Sequence, residues 1–175
     1  MEKTLRMENR TKRWREQRWL LDSVIKTVGP EWDQGRLGSK GGKGGGAGTA
    51  SFRRAGAKMK KFDDIGPEFG REGQRMEGIA KGFEDQGRFV SAYENYFIAS
   101  LLYASAQWPY FDINDEDLEW ERRMARCYDK FIEYAPHPVE RVDIPFQDTA
   151  MSAFLHLPSA PENGAPFPCI LHIGG

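Results

Sequence analysis

The segment "VERVDIPFQDTAMSAFLHLP", residues 139–158, decides the fold class, because its hydrophobic residues recur at every second position. Val142, Ile144 and Phe146 alternate with charged or polar neighbours, and the alternation resumes after the polar residues 147–149. The second half of the pattern consists of Met151, Ala153, Leu155 and Leu157. A period of two places alternate side chains on one face of a strand. The sequence therefore predicts a β-hairpin with its turn at residues 147–149.

The chain before the hairpin has helical periodicity, with hydrophobic residues three and four positions apart. The predicted helices cover residues 11–28, 69–86, 89–107 and 114–135. Gly87 is a suitable C-cap and Asn114 a suitable N-cap for these helices. Helices followed by an antiparallel hairpin predict an α/β fold, in which a helical cap leads into the edge of a sheet.

The last residues, "PCILHIGG" at 168–175, combine a short hydrophobic run with a glycine pair. Cys169, Ile170 and Leu171 are predicted to form a buried strand, the first of the main sheet, which feeds a tight glycine turn. A buried strand needs neighbours on both sides, and few residues remain to supply them. We therefore expect the chain to be the truncated front of a longer protein.

Charge and glycine content divide the sequence unevenly. Residues 1–61 hold 16 Lys and Arg against 6 Asp and Glu, and the remainder holds 9 against 20. The stretch "GRLGSKGGKGGGAGTA" has few side chains that could pack, which favours a flexible segment. The predicted parts are an N-terminal helical segment (1–34), a glycine-rich basic flexible insert (35–61), a helical cap region (62–137) and the start of a sheet (138–175).

The two cysteines and the N-terminal residues indicate a cytoplasmic protein. Cys127 and Cys169 both fall in apparently regular segments, so neither a disulfide framework nor a zinc cluster is expected. The first thirty residues carry charge throughout, which argues against a signal peptide, and no stretch has the length and apolarity of a membrane span.

Three blocks of the sequence, residues 68–109, 139–158 and 166–175, together resemble a known family. In this order they are similar to the N-terminal half of the α/β-hydrolases related to dihydroxypseudooxynicotine hydrolase and to the fungal hydrolases that shorten pigment polyketides. The resemblance extends roughly from Trp14 to Gly175, apart from the glycine-rich insert. It implies that the helices form a cap over the active site and that the hairpin starts the hydrolase sheet.

The resemblance also implies a reaction. The complete protein would use a serine nucleophile, a histidine base and an acidic partner to hydrolyse an ester or a ketone-type carbon–carbon bond of a small, aromatic or polyketide substrate. This sequence has no G-x-S-x-G motif, so no catalytic residue of the triad is assigned and the chain is expected to be inactive. No cofactor is implied.

The family places the start of its oxyanion-hole loop at the glycine pair, Gly174 and Gly175, with His172 beside it. Backbone N–H groups at such a loop stabilise the negative charge that develops on a carbonyl oxygen, and absent side chains let the backbone approach. The "HIGG" sequence matches the HGGG-type motif of esterases only in part, because Ile173 stands where that motif has a glycine. A plain strand-terminating turn is the alternative interpretation.

Aromatic residues of the cap are the candidates for a substrate pocket. The proposed lining residues are Tyr96, Trp108, Tyr110 and Phe111. Packing between helices is the alternative role of these side chains. Cys127 lies on an apolar helical stripe and is expected in the core. His156 is expected on the solvated strand face and His137 in a loop, with no metal-ligand spacing between histidines.

Two other classes of protein remain as alternatives. The helices could form a repeat-like protein-interaction module, although a hairpin and buried strand do not belong in a pure repeat scaffold. The basic residues 51–62 could bind nucleic acid, with Phe52 stacking on a base, but no RNA-binding signature accompanies them. The "GGKGGG" stretch is not a phosphate loop, because Gly44 stands where Ser or Thr is required. An exposed cap surface suggests a homodimer.

Overall fold

The computed structural model describes residues 16–29, 45–110, 112–158 and 168–171 of the chain. These residues divide into two compact units, Met1–Tyr134 and Ala135–Gly175. The first unit is helical and the second contains a β-hairpin. No helix among the described residues is both long enough and apolar enough to cross a membrane.

The first unit contains five helices and one short 3₁₀ turn in its described part. They are α1 (residues 16–28), α2 (Gly45–Gly56), the 3₁₀ turn Phe62–Asp64, α3 (Ile65–Asp85), α4 (Phe89–Ala106) and α5 (Asp115–Glu133). The helices predicted at residues 69–86, 89–107 and 114–135 are confirmed as α3, α4 and α5. Helix α3 begins four residues earlier than its hydrophobic pattern indicated.

Local sequence signals set the ends of these helices. The Asn114 side chain accepts a hydrogen bond from the backbone N–H of Asp117 at 2.9 Å, which caps α5. Gly87 follows α3 with a φ of 70°, a left-handed conformation that glycine adopts without strain. Both predicted caps are confirmed.

The core of the unit lies around α4, which packs against both α3 and α5. This central position follows from its sequence, because α4 carries small or apolar residues on nearly every side. Its fully buried residues include Ile98, Ala99, Leu102, Tyr103 and Ala106. Ile25 of helix α1 lies in the same core. The Asp22 carboxylate of α1 accepts a hydrogen bond from the backbone N–H of Phe62 at 2.8 Å.

The second half of the predicted flexible insert is ordered, so that prediction is wrong for residues 45–61. Phe52, Ala55 and Met59 are buried in the core, and the Phe52 ring meets the Phe69 ring edge-on at 5.3 Å. The reason is that Phe52 and Ala55 share one face of α2, and Met59, three residues beyond the end of the helix, packs into the same core. Residues 35–44 lie outside the described residues. Because Phe52 is buried, its ring is not available to stack on a base, as the nucleic-acid-binding alternative requires.

The second unit contains the predicted hairpin. β1 (Val139–Phe146) pairs antiparallel with β2 (Thr149–His156), with Val142 opposite Ala153 and Ile144 opposite Met151. The turn has two residues rather than three, since Thr149 already pairs with Phe146. Gln147 in the turn has a φ of 51°, as two-residue hairpin turns require at their first central position.

The predicted buried strand at Cys169–Leu171 is wrong for the described residues. Residues 168–171 form no strand, and Ile170 is 92% exposed. A strand is defined by backbone pairing with a neighbour, and β1 and β2 are the strands that the described residues contain. Among the described residues, the hydrophobic run pairs with neither β1 nor β2.

Candidate functional site

A stripe of glycines on α3 positions the aromatic side chains of the helical unit. Gly66, Gly70 and Gly73 lie on one helical face, where a Cβ would come within 2.5 Å of Tyr110, 2.5 Å of Trp120 and 2.8 Å of Tyr103, respectively. The three rings come from α4, from the segment after it and from α5. Because the glycines have no side chains, all three rings lie directly against the α3 backbone.

Trp108 and Tyr110 lie at the end of the unit where α3 begins. The Trp108 ring packs on Phe62 with 5.3 Å between ring centroids, and Tyr110 covers Gly66. Burial raises the pKa of Tyr110 to about 12, so its phenol keeps its proton at neutral pH. Trp120 and Asp117 are close enough to influence the same pKa. The predicted neighbours Trp108 and Tyr110 are thus at one end of the unit.

Three buried polar atoms lie near the start of α5 and just before it. They are the Tyr110 hydroxyl, the Trp120 indole N–H and one Asp117 carboxylate oxygen. Hydrogen bonding from Trp120 opposes the rise in the pKa of Tyr110 that burial causes, so the hydroxyl and the indole N–H are neighbours.

Tyr96 does not lie with Trp108 and Tyr110, so the predicted four-residue pocket is corrected. The Tyr96 hydroxyl donates to the Glu84 carboxylate at the far end of α3, and its side chain is buried in the core. Glu84 is 18 residues beyond Gly66, a distance of about 27 Å along the helix. Helix packing is therefore the role of Tyr96. Phe111 lies outside the described residues.

Glu84 is the centre of a hydrogen-bond network that joins three helices. Besides Tyr96 from α4, its carboxylate accepts the Tyr134 hydroxyl at 2.6 Å and the Lys130 ammonium at 2.9 Å. These hydrogen bonds, that from Tyr134 foremost, lower the pKa of Glu84 to about 2. The Glu84 carboxylate is therefore charged at neutral pH and links α3, α4 and the end of α5.

Glu77 forms a second network, two helical turns before Glu84 on the same face of α3. It accepts the Tyr103 hydroxyl at 2.6 Å and an Arg126 guanidinium N–H at 2.9 Å. Sequence analysis missed both carboxylates. Their separation of seven residues is the signal that could have identified them, because residues so spaced share a helix face. Since each carboxylate is already bonded to several donors, both hold helices together.

Replacing Glu84 by Gln is expected to lower the free energy of unfolding by about 1 kcal/mol at neutral pH. Because the pKa of Glu84 is about 2 when folded against an ordinary 4.5, its contribution is present above pH 4.5 and lost as the pH falls toward 2. Urea unfolding of both proteins across this range measures the difference. Asp85→Asn, at the exposed neighbouring residue, is the control. A difference between wild type and Glu84→Gln that stays constant with pH contradicts this account.

The remaining predicted residues fall into two groups. Cys127 is fully buried, and burial raises the pKa of its thiol to about 12, so the thiol is protonated and the predicted core role is confirmed. His172, Gly174 and Gly175 lie outside the described residues, and their part in an oxyanion hole stays a prediction. The described residues contain no group of three or more His, Cys, Asp or Glu side chains that could hold a metal ion.

The structure brings together one pair that the sequence analysis had kept apart. His137 Nε2 and His156 Nδ1 face each other at 2.8 Å, where the second residue before β1 approaches the last residue of β2. The pair is accessible to solvent. Its members are 19 positions apart, and no sequence motif marks them.

A family model and solved structures match this chain. A family model described as Esterase FrsA-like matches residues 72–175, more than half of the chain. The crystal structure of the 2,6-dihydroxy-pseudo-oxynicotine hydrolase is similar with a TM-score of 0.54 and 21% sequence identity. That alignment covers 74% of this chain but 34% of the hydrolase, so the chain spans about a third of its length. No curated protein matches.

Proposed function

Since the chain belongs to the esterase FrsA-like family, we propose that it is the N-terminal part of a serine hydrolase. The observation that carries the proposal is the extent of the family match, which includes most of α3, all of α4 and α5, and the hairpin. In this proposal the helical unit is the cap and the hairpin begins the catalytic sheet. The cap would exclude water from a site built by residues beyond Gly175.

The relation to the dihydroxypseudooxynicotine hydrolase and the α/β-hydrolase fold are confirmed at the level of family and fold. The relation to fungal pigment hydrolases stays a prediction, as does a homodimer. A scaffold made purely of helical repeats is disfavoured, because the family match continues through the β-hairpin.

The proposed substrate is a small aromatic or polyketide molecule with an ester or ketone-type carbon–carbon bond. Trp108 and Tyr110 support this choice, because they place ring surface at the same end of the helical unit as the polar groups of Tyr110 and Trp120. Such a combination suits a flat molecule that carries oxygen substituents. The similar hydrolase is named for 2,6-dihydroxy-pseudo-oxynicotine.

The catalytic serine is proposed to lie outside these 175 residues, because the chain has no G-x-S-x-G motif. Gly174 and Gly175 are proposed to lead into the oxyanion-hole loop. The chain by itself is then expected to lack hydrolase activity, since the acyl-transfer reaction needs a nucleophile and a base in hydrogen-bond contact.

A serine-directed fluorophosphonate probe tests the proposal. The protein translated from the complete reading frame that contains this chain is expected to be labelled and to hydrolyse aromatic esters or diketones. The 175-residue chain alone is expected to give neither result. A complete protein that is neither labelled nor active on these substrates contradicts the hydrolase assignment, and labelling of the short chain contradicts the location of the nucleophile.

Two substitutions in the complete protein separate substrate binding from packing. Trp108→Ala is expected to change the ratio of kcat/KM values between aromatic and aliphatic esters, because it removes ring surface from the proposed pocket. Tyr96→Phe, which removes a hydroxyl from the Glu84 network, is expected to lower stability and leave that ratio unchanged. Equal ratios in wild type and Trp108→Ala contradict the proposed pocket.

A further inference from the structure

The basic residues that the sequence analysis singled out form an exposed surface to which the proposed function gives no role. Residues 45–61 hold five Lys and Arg and no Asp or Glu. The basic surface is defined by the three lysines at the end of this segment, which are exposed and make no ion pair among the described residues: Lys58, Lys60 and Lys61. The two acids that follow are already bonded, Asp63 to Arg18 and Asp64 to backbone N–H groups. Positive charge therefore remains in excess at this surface.

A surface of opposite charge lies at the start of α5. Residues 112–121 hold six Asp and Glu and no Lys or Arg. The acidic surface is defined by the four carboxylates that are exposed and make no ion pair among the described residues: Asp112, Asp115, Glu116 and Glu121. Ile113, between the first two of them, is 79% exposed, more than any other large hydrophobic side chain described in the helical unit. An apolar side chain within a charged rim has the arrangement of a protein–protein interface.

Both surfaces lie at the end of the helical unit where α3 begins. Asp64, the residue before α3, accepts hydrogen bonds from the backbone N–H groups of residues 60 and 61 at 2.8 and 3.1 Å. On the acidic side, Glu116 is close enough to the Tyr110 hydroxyl to raise its pKa, and Tyr110 covers Gly66 in the first turn of α3. The two surfaces are therefore neighbours on one unit, although no ion pair joins them within the described part of a single chain.

An acidic protein surface suits the lysines better than a nucleic acid does. The aromatic rings of the neighbouring sequence, Phe52 and Phe62, are 6% and 1% exposed and give a base no platform on which to stack. The chain itself carries an acidic surface at the same end of the same unit. A second copy of this chain therefore offers the complementary charge.

We propose that two copies of this chain associate about a two-fold axis, with the basic surface of each copy against the acidic surface of the other. A two-fold axis brings the same pair of surfaces together twice, so two attractive contacts form. The exposed charges set the orientation and speed of association, and Ile113 supplies apolar area. Trp108 and Tyr110 are only partly exposed at this end, so the contact forms at its charged rim. The contact is independent of the proposed hydrolase activity, because it uses the charges of the helical unit alone.

Analytical ultracentrifugation of the 175-residue chain measures this association. A dimer is expected at about 0.05 M salt. At about 1 M salt, where the Debye length is about 3 Å, its dissociation constant is expected to be at least about tenfold higher. Salt does not weaken association through apolar surface, such as the exposed face of the hairpin. A monomer at low salt, or a dimer with the same dissociation constant at both salt concentrations, overturns the proposal.

Charge reversal tests which surfaces meet. The double variants Lys58→Glu/Lys61→Glu and Asp112→Lys/Asp115→Lys are each expected to raise the dissociation constant at least about tenfold, because like charges then face each other. An equal mixture of the two variants is expected to form a heterodimer with nearly the wild-type affinity, since both contacts then join opposite charges again. This rescue also shows that both variants are folded. A mixture that stays monomeric overturns the proposal.

The matched control is Lys81→Glu/Arg88→Glu, which makes the same change in net charge at exposed residues near the other end of α3. It is expected to keep the wild-type dissociation constant. A tenfold weaker dimer in this control would show that net charge, and not the paired surfaces, governs association. If the wild-type chain is monomeric at low salt and binds a labelled nucleic-acid duplex, the basic surface serves a nucleic acid and the proposal is likewise overturned.

Discussion

Phe52→Ala is expected to lower the free energy of unfolding of the helical unit by about 3–5 kcal/mol. Phe52 is 6% exposed and contacts the Phe69 ring edge-on, between α2 and α3. Truncation removes the buried ring that joins α2 to α3 and leaves a cavity beside Phe69. Since small domains have only 5–15 kcal/mol of stability in total, the loss is a large share of it.

Urea unfolding followed by far-UV circular dichroism measures this effect. Phe52→Leu keeps most of the buried volume and is expected to lose less than half as much. Val90→Ala, at a position 75% exposed on α4, is the control for truncating an apolar side chain and is expected to change little. If Phe52→Ala changes the free energy of unfolding as little as Val90→Ala does, residues 45–61 do not pack as described. The prediction of a flexible insert would then hold for them.

Gly70→Ala is expected to destabilise the helical unit by about 1–3 kcal/mol, although alanine is the better helix former. The new methyl group would lie 2.5 Å from the Trp120 ring, a distance that forces the ring or the helix to move. Trp120 cannot easily yield, because its other side stacks on Tyr103 with ring centroids 5.9 Å apart. The packing of the Trp120 ring against α3 therefore depends on the absence of a side chain at Gly70.

Gly78→Ala is the matched control within the same helix. A Cβ at Gly78 meets no atom within 4 Å, so this substitution is expected to stabilise the protein by up to about 1 kcal/mol through helix propensity alone. Thermal unfolding of both variants gives the comparison. If both variants change the melting temperature in the same direction, packing against Trp120 does not determine the effect of a side chain at position 70.

Part of the candidate site could be predicted from the sequence. Trp108 and Tyr110 are two positions apart in the segment after α4, so their position at one end of the unit follows from the helix boundary. Tyr96 was grouped with them because of its residue type. Tyr96 contacts Glu84 near the end of α3, whereas Tyr110 contacts Gly66 near its start. These contacts depend on how the helices pack, so the sequence pattern does not reveal them.

Periodicity by itself determined α3, α4, α5 and the hairpin, because hydrophobic residues at intervals of three to four or of two record which face of each element is buried. Tertiary structure alone decided the rest. The partners of Glu84 include Tyr134, 50 residues away, and the facing histidines are 19 residues apart. Burial of Phe52 likewise depends on α3, and the run at residues 169–171 is exposed and pairs with neither β1 nor β2. Such contacts join residues that are distant in the chain, and a local pattern carries no information about which distant surface it will meet.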